Sequence, residues 1–147
     1  MNNGKVLEEY IYTKVQGKQR PRVTKHGTYT PKQTVQSEKL IREFIAKRMD
    51  KDKLSAITKP GAVDLDIIFV REVPKHFSKK NRTLALNGDL VPIRKPDMDN
   101  QEKTVLDALN GLAYDDDSQI VSKTTSKIYG FENAVIISIN RHPTDGA

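Results

Sequence analysis

The segment from Val63 to Phe69 constrains the fold of this chain most strongly, because hydrophobic residues recur in it with a period of two. Apolar side chains occupy every second position: Val63, Leu65, Ile67 and Phe69. The positions between them are Asp64, Asp66 and Ile68. Successive side chains of a strand point to opposite faces, so this pattern predicts a strand with one apolar face that another layer must cover.

The segments on either side supply further strands and helices. Residues 6–15 are rich in β-formers and predict a first strand. Thr30-Pro31-Lys32-Gln33 has the composition of a helix start, with a capping residue, a proline and a glutamine in the expected order. Four apolar residues follow at helical spacing: Leu40, Ile41, Phe44 and Ile45.

A second helix is predicted to start near Asp99 and to end at Asn110-Gly111. Its expected buried stripe is Val105, Leu106 and Leu109. Two further strands, Ile120 to Ile128 and Ala134 to Asn140, are predicted to form a hairpin. The order β-α-β-α-β-β over 147 residues predicts one α/β domain, residues 1–147, with a small mixed sheet and two main helices packed on it.

The charge balance points to a polyanionic partner. The chain has 25 Lys and Arg against 19 Asp and Glu, a formal net charge of +6, which suits nucleic acid or an anionic membrane surface. It has no cysteine, which excludes disulfides and thiolate zinc sites. It also has no apolar run long enough for a membrane span or a signal peptide. A cytoplasmic protein with no membrane partner is therefore expected.

Two segments concentrate the positive charge. Residues 14–36 contain six Lys and Arg and no acidic residue, and the long connection from Val73 to Arg94 contains a single acid, Asp89. Each is either a solvated loop or a surface that grips phosphate, since arginine matches phosphate oxygens geometrically. The candidate DNA contacts in them are Lys18, Arg20, Arg22, Lys79, Lys80 and Arg82.

An acidic stretch stands out in this basic chain. Asp97 and Asp99 point the same way if Asp97 is extended, and Lys103 follows one helical turn after Asp99. Asp117, in the triple 115–117, can supply a third carboxylate. Oxygen ligands of this kind suit Mg²⁺, with Mn²⁺ as a possible substitute.

Other interpretations of the acids remain open from spacing alone. An aspartate at a helix N-terminus is stabilised by the macrodipole. Asp97 and Asp99 could therefore serve as helix caps without binding metal, and the triple aspartate could simply form a turn. Asp64 and Asp66 form a rival pair that is expected to be solvated. A calcium hand is a poor alternative, because, counted from Asp97, Glu102 stands where its loop needs glycine and Ala108 where it needs glutamate. The three histidines are scattered and are expected at the surface: His26, His76 and His142.

Several motifs together strongly resemble the RusA family of Holliday junction resolvases. They are Lys95-Pro96-Asp97-Met98-Asp99-Asn100, Lys103, residues 105–111, Tyr114 and Asp116-Asp117-Ser118-Gln119-Ile120. The resemblance extends to Lys18-Gln19-Arg20-Pro21-Arg22 and Tyr29-Thr30-Pro31. It implies a homodimeric, Mg²⁺-dependent endodeoxyribonuclease that resolves four-way DNA junctions by paired nicks, in a bacterial cell and often encoded by a phage or prophage.

The resemblance also implies roles for particular residues. Asp97, Asp99 and Asp117 would be the catalytic, metal-binding carboxylates, and Lys103 the required lysine. Asn100 and Asp116 would be positioning groups, and Asp115 lies outside the set. Two alternatives remain: a less selective nuclease for branched DNA, and a non-catalytic DNA-binding module whose acids only cap and solubilise.

Overall fold

A computed structural model describes residues 5–15, 17, 22–24, 27–29 and 32–147. Of residues 5, 6, 22–24, 27–29 and 32–35 it describes the backbone alone. The predicted helix start at Thr30-Pro31 lies outside the described residues, and so do Lys18, Arg20 and His26.

The described residues form six strands and three α-helices. The strands are β1 (Lys5–Ile11), β2 (Arg22–Thr24), β3 (Gly27–Tyr29), β4 (Val63–Glu72), β5 (Ile120–Gly130) and β6 (Ala134–Arg141). The helices are α1 (Lys32–Lys51), α2 (Lys79–Leu86) and α3 (Met98–Leu109). A 3-10 turn, Asp117–Gln119, leads into β5. The prediction of an α/β fold with a mixed sheet is confirmed.

The main sheet has the order β1-β6-β4-β5, and β2 and β3 pair separately. Strand β4 runs parallel to β5 and antiparallel to β6. The predicted hairpin of β5 and β6 is therefore wrong, because β4 lies between them. Strand β4 occupies one of the two interior positions, where Leu65 and Ile67 are at most 1% exposed and lie opposite Ile139 and Ile137 of β6.

Helices α1 and α3 cover one face of this sheet. Ile41 and Ile45 of α1 and Val105 and Leu109 of α3 belong to the same buried cluster as the inward residues of β4 and β6. The predicted stripe of α1 is correct for Ile41 and Ile45, but Phe44 is 43% exposed. Met49, four residues after Ile45, extends the buried face of the helix.

The connection from residue 73 to residue 94 contains a helix that the sequence pattern did not predict. Ser78 caps α2, its hydroxyl accepting a hydrogen bond from the Asn81 N–H at 3.1 Å. Phe77 makes an edge-to-face contact with Tyr129 of β5 at 5.6 Å between ring centroids. Within the described residues, no helix combines the length and apolarity that crossing a membrane requires.

The two faces of β4 provide a test of this arrangement. Ile67 is 1% exposed beneath the helices, whereas Ile68 is half-buried on the opposite face of the same strand. We expect Ile67→Ala to lower the free energy of unfolding by about 2–5 kcal/mol, because it leaves a cavity in the core. Ile68→Ala should cost less than about half as much. Urea titration measures both, and equal losses would contradict a sheet with only one helix-covered face.

Candidate active site

Helix α3 starts at Met98, one residue after Asp97, so the helix begins earlier than the predicted start near Asp99. Asp97 is the N-cap residue, in an extended conformation with φ −65° and ψ 145°, and its side chain makes no capping hydrogen bond. Asp99 lies in the first turn instead of capping the helix. Capping therefore does not account for the Asp97 carboxylate, which is exposed.

One face of α3 presents charged groups to solvent. Asp99, Lys103 and Asp107 follow one another at intervals of four residues, and all three are exposed. The side chains of Asp99 and Lys103 form no hydrogen bond and no ion pair with another described residue. The opposite face is buried and consists of Gln101, Thr104, Val105, Ala108 and Leu109. The helix thus holds an acid and a lysine on its solvent side.

Two basic side chains of the sheet bind the segment that leads into Asp97. The Lys127 ammonium donates to the carbonyl of Arg94 at 3.0 Å and to that of Pro96 at 3.2 Å. Arg71 Nη1 contacts the carbonyl of Lys95 between them at 3.4 Å. Lys127 lies opposite Phe69 in the β4–β5 pair, so its side chain is on the helix-covered face. These bonds fix the backbone from which the Asp97 carboxylate projects.

The start of the first basic segment also packs on this end of α3. Gln101 is buried and its Nε2 donates to the Val15 carbonyl at 3.0 Å. A Cβ at Gly17 would lie 3.0 Å from the Pro96 Cβ and 3.2 Å from the Asn100 Cβ, so only glycine permits this approach without displacement. Asn100, a predicted positioning residue, is half-buried at this contact.

Two of the three acids at 115–117 accept structural hydrogen bonds from backbone N–H groups. Asp115 Oδ2 accepts a hydrogen bond from the Lys59 N–H at 3.0 Å. Asp116 caps the 3-10 turn: it accepts from the Ser118 N–H at 3.0 Å, and the Asp116 N–H donates to Gln119 Oε1 at 2.8 Å. The hydrogen bond from Ser118 lowers the pKa of Asp116. Asp116 is thus built into the turn that places Asp117.

Gln119 secures that turn from below, and sequence reasoning gave it no role of its own. It is buried, and its Nε2 donates to the carbonyls of Ile57 at 2.9 Å and Gly61 at 3.0 Å. Its contacts are about 60 residues distant in sequence, so no local pattern could have indicated them.

Asp117 differs from its two neighbours. Its Oδ1 is buried without a hydrogen-bond donor in good geometry, although it faces the buried hydroxyl of Tyr114. Burial raises the pKa of Asp117, and the negative charges of Asp107 and Asp116 add to the effect, while Tyr114 and Lys123 oppose it. Burial also raises the pKa of Tyr114, with Asp117 contributing. This carboxylate carries an electrostatic cost that a cation would relieve.

A polar contact joins α3 to β5 between these two acidic regions. Glu102 forms an ion pair with Lys123 and accepts a hydrogen bond from the Thr125 hydroxyl at 2.6 Å. Sequence reasoning placed Glu102 in the acidic stretch but gave Lys123 and Thr125 no role, since nothing in the spacing of these residues links a helix to that strand.

The structure does not draw the three predicted metal ligands into one cluster. The charged groups that affect Asp117 most are Asp107, Asp116 and Lys123, and the rise along α3 from Asp99 to Asp107 is about 12 Å. Within the part of the chain that the structure describes, no three His, Asp or Glu side chains form a group that could hold a metal. A shared role for Asp97, Asp99 and Asp117 stays a prediction.

The other candidate residues lie apart from α3. Asp64 Oδ1 is 2.8 Å from Nδ1 of the half-buried His142, so this acid is paired instead of simply solvated, whereas Asp66 is exposed. His76 is exposed. Three predicted DNA contacts, Lys79, Lys80 and Arg82, are exposed on α2. Arg22 is described only as backbone of β2.

Comparison with known proteins assigns the chain to a family. The model of the family described as endodeoxyribonuclease RusA matches residues 13–140. The chain therefore belongs to the RusA endodeoxyribonuclease family.

The chain is also similar to an uncharacterized protein of Bacillus subtilis (strain 168), YqaN. The two are 46% identical over 81 residues, which cover 54% of this chain and 57% of YqaN. The match thus spans little more than half the length of that relative.

Nucleases of this family generally use a divalent metal, and the donor chemistry here fits one. Asp97 and Asp99 are exposed carboxylates without side-chain hydrogen bonds to described residues, and Asp117 offers a buried oxygen without a donor. Mg²⁺ is commonly bound by one or two carboxylates together with substrate phosphates, so a complete protein cage is not required.

The buried state of Asp117 makes a prediction about stability. Its pKa is higher in the folded than in the unfolded chain, so folding favours its protonated form. That contribution is fully present below the unfolded pKa of about 3.9 and is lost as pH rises through the folded pKa. We therefore expect Asp117→Asn to melt at a higher temperature than the wild type at pH 7 in metal-free buffer, with the difference vanishing near pH 3.

Calorimetry between pH 3 and pH 8 measures this difference. The matched control is Asp50→Asn, which removes an exposed carboxylate of α1. An Asp117→Asn variant that is less stable than the wild type at pH 7 would show that the carboxylate is held by favourable contacts.

Proposed function

We propose that this protein is a Mg²⁺-dependent, structure-specific endodeoxyribonuclease that resolves Holliday junctions by paired symmetric nicks in DNA recombination and repair. Mn²⁺ is expected to substitute for Mg²⁺. The observation that carries the proposal is the family match over residues 13–140, which includes the exposed Asp97, Asp99 and Lys103 on one end and face of α3.

Asp97, Asp99 and Asp117 are proposed to hold the metal. When bound, the metal supplies activation of the attacking water and stabilisation of charge at the phosphate. For Asp97 and Asp99 to become ligands, no side-chain hydrogen bond to a described residue has to be broken. Asp117 has a physical reason to accept a cation, since its ionised form is disfavoured by burial and by neighbouring acids.

Lys103 is proposed to act on the substrate directly. It lies one turn after Asp99 on the exposed side of α3, and its ammonium has no ion pair with a described residue. A fixed positive charge beside the scissile phosphate stabilises the charge that develops there during cleavage. Asn100 is proposed to position this end of the helix through its contact with Gly17.

The basic segments explain how DNA approaches an acidic site. The exposed cations of α2, together with Lys18, Arg20 and Arg22, are proposed to bind phosphates and so offset the repulsion from the aspartates. Two symmetric cuts in a four-way junction are most simply made by a two-fold homodimer with one site per subunit.

Asp97→Asn tests the metal-binding role. We expect cleavage of a synthetic four-way junction with Mg²⁺ to fall by at least about a thousandfold, because the change removes a charged ligand but keeps its shape. Junction binding without metal should stay within about twofold of the wild type. The control Asp66→Asn alters an exposed acid of β4 and should cleave normally.

The same assay distinguishes the alternatives. Retained cleavage by Asp97→Asn and by Asp117→Asn would contradict the assigned site. Equal rates on four-way, three-way and linear duplex DNA would favour the less selective nuclease. A wild type that binds branched DNA but cuts none of it with Mg²⁺ or Mn²⁺ would be a non-catalytic binding module.

A mixed-subunit experiment tests the proposed dimer. Light scattering should give twice the 16.6 kDa mass of the chain. Heterodimers of tagged Asp97→Asn and untagged wild type should nick one strand of the junction without producing linear duplex products, because only one subunit is competent. Complete resolution by purified heterodimers would mean that a single subunit makes both cuts.

A further inference from the structure

A small cavity with a basic lining lies beside the N-terminus of α3. Its volume is about 30 Å³, and four cationic residues line it: Lys14, Arg71, Arg94 and Lys127. No acidic residue lines it among those the structure describes. None of these four residues is among the DNA contacts predicted from the sequence. Most of the cavity wall is apolar, and the four cations are the feature of its lining that favours an anionic ligand.

Two of the four cations are fixed in place by the protein. The Lys127 ammonium is bonded to the carbonyls of Arg94 and Pro96, and the Arg71 guanidinium contacts that of Lys95. Both side chains are half-buried. Carbonyl groups do not neutralise a positive charge, so both remain able to attract an anion. This part of the cavity needs little reorganisation on binding.

The other two cations are exposed at the cavity. Neither the Lys14 nor the Arg94 side chain has a hydrogen bond or an ion pair with a described residue. Arginine can offer two parallel donors to a phosphate, and lysine acts as a compact point charge. Replacing these two residues should therefore affect ligand binding more than folding.

A buried amide oxygen also borders the cavity. Gln101 is 7% exposed, and its Nε2 donates to the Val15 carbonyl, which fixes the orientation of the amide. Its Oε1 is buried and receives no hydrogen bond from the described residues. Phosphate oxygens only accept hydrogen bonds, so a phosphate pairs with this oxygen only through a donor such as a bridging water.

The size and position of the cavity restrict which ligands it can bind. A water molecule needs about 10–15 Å³ of such a volume, so the cavity takes one or two small groups and excludes a nucleobase. Pro96 and Gln101, which line it, flank the segment Asp97–Asn100. A group bound there lies directly beside the Asp97 end of α3.

We propose that this cavity binds a backbone phosphate of the DNA strand that is cut, adjacent to the scissile phosphate. The inference rests on the proposed nuclease function for the identity of the strand. Binding in the cavity orients the strand across Asp97 and Asp99, and it places a positive field next to the carboxylates that would otherwise repel DNA.

The first experiment measures binding of a four-way junction in metal-free buffer as a function of salt. For the double variant Lys14→Gln/Arg94→Gln we expect affinity to fall roughly tenfold and the logarithmic salt slope to decrease in magnitude by about 1, the loss of one phosphate contact. The control Lys47→Gln/Lys51→Gln removes the same charge from the exposed side of α1. An equal loss in the control, or an unchanged slope in the double variant, would overturn the proposal.

The second experiment identifies the phosphate. In an intact junction, neutral methylphosphonates replace, one at a time, the phosphates around the position where cleavage is expected. The wild type should lose affinity at one position next to the cut, and Lys14→Gln/Arg94→Gln should lose no further affinity at that position while keeping its sensitivity elsewhere. If the double variant stays fully sensitive there, the cavity does not bind that phosphate.

Equal urea midpoints for wild type and variant establish that both are folded in these measurements. Both experiments measure binding without metal, so they separate this proposal from the nuclease assignment. A wild type that cuts no junction but shows the predicted salt slopes would overturn the nuclease function and leave the phosphate cavity in place.

Discussion

The parallel pairing of β4 with β5 determines where the rest of the structure lies. Two parallel neighbours cannot be joined by a tight turn, so the chain must cross over one face of the sheet between them. Residues 73–119 form that crossover and include α2, α3 and the 3-10 turn. Every proposed catalytic residue belongs to it. The sheet therefore supports the long connection that contains all of the proposed catalytic residues.

The crossover is tied to its surroundings along the whole length of α3. Lys127 and Arg71 hold the segment before the helix, and Glu102 joins the middle of the helix to β5. At the C-terminal end, Arg42 of α1 donates to the carbonyls of Ala108 and Asn110 at 3.1 and 3.0 Å. These bonds come from residues other than the proposed ligands, so Asp97 and Asp99 are positioned without using their own carboxylates. That leaves their oxygens available for chemistry.

The sequence predicted those parts of the fold that local periodicity encodes. The alternation of β4 and the helical spacing in α1 and α3 gave the correct elements, because burial of one face leaves a regular pattern. The pairing of β5 was predicted incorrectly, since a strand's pattern does not name its neighbour. Helix α2 was missed because Ala85 is its single buried residue, and one small side chain leaves no apolar stripe.

The candidate site shows the same division. The spacing of Asp97, Asp99 and Lys103 was visible in the sequence, and the resemblance connected them with Asp117. The supporting residues Gln101, Gln119 and Lys127 were not visible as such, because their partners lie about 30 to 86 residues away. The hydrogen bonds of Lys127 and Arg71 to the backbone just before α3 are likewise distant in sequence, so the sequence pattern did not show how this segment is held.

The position of β6 has a consequence for how the protein is made. This strand pairs with β1 on one side and with β4 on the other, so it completes the interior of the sheet although it follows all the other strands in sequence. A nascent chain that ends before residue 134 already contains the entire acidic stretch. It lacks the strand that brings β1 and β4 together, and such distant pairings form slowly. In such a chain the sheet beneath the candidate site lacks the strand that joins β1 to β4.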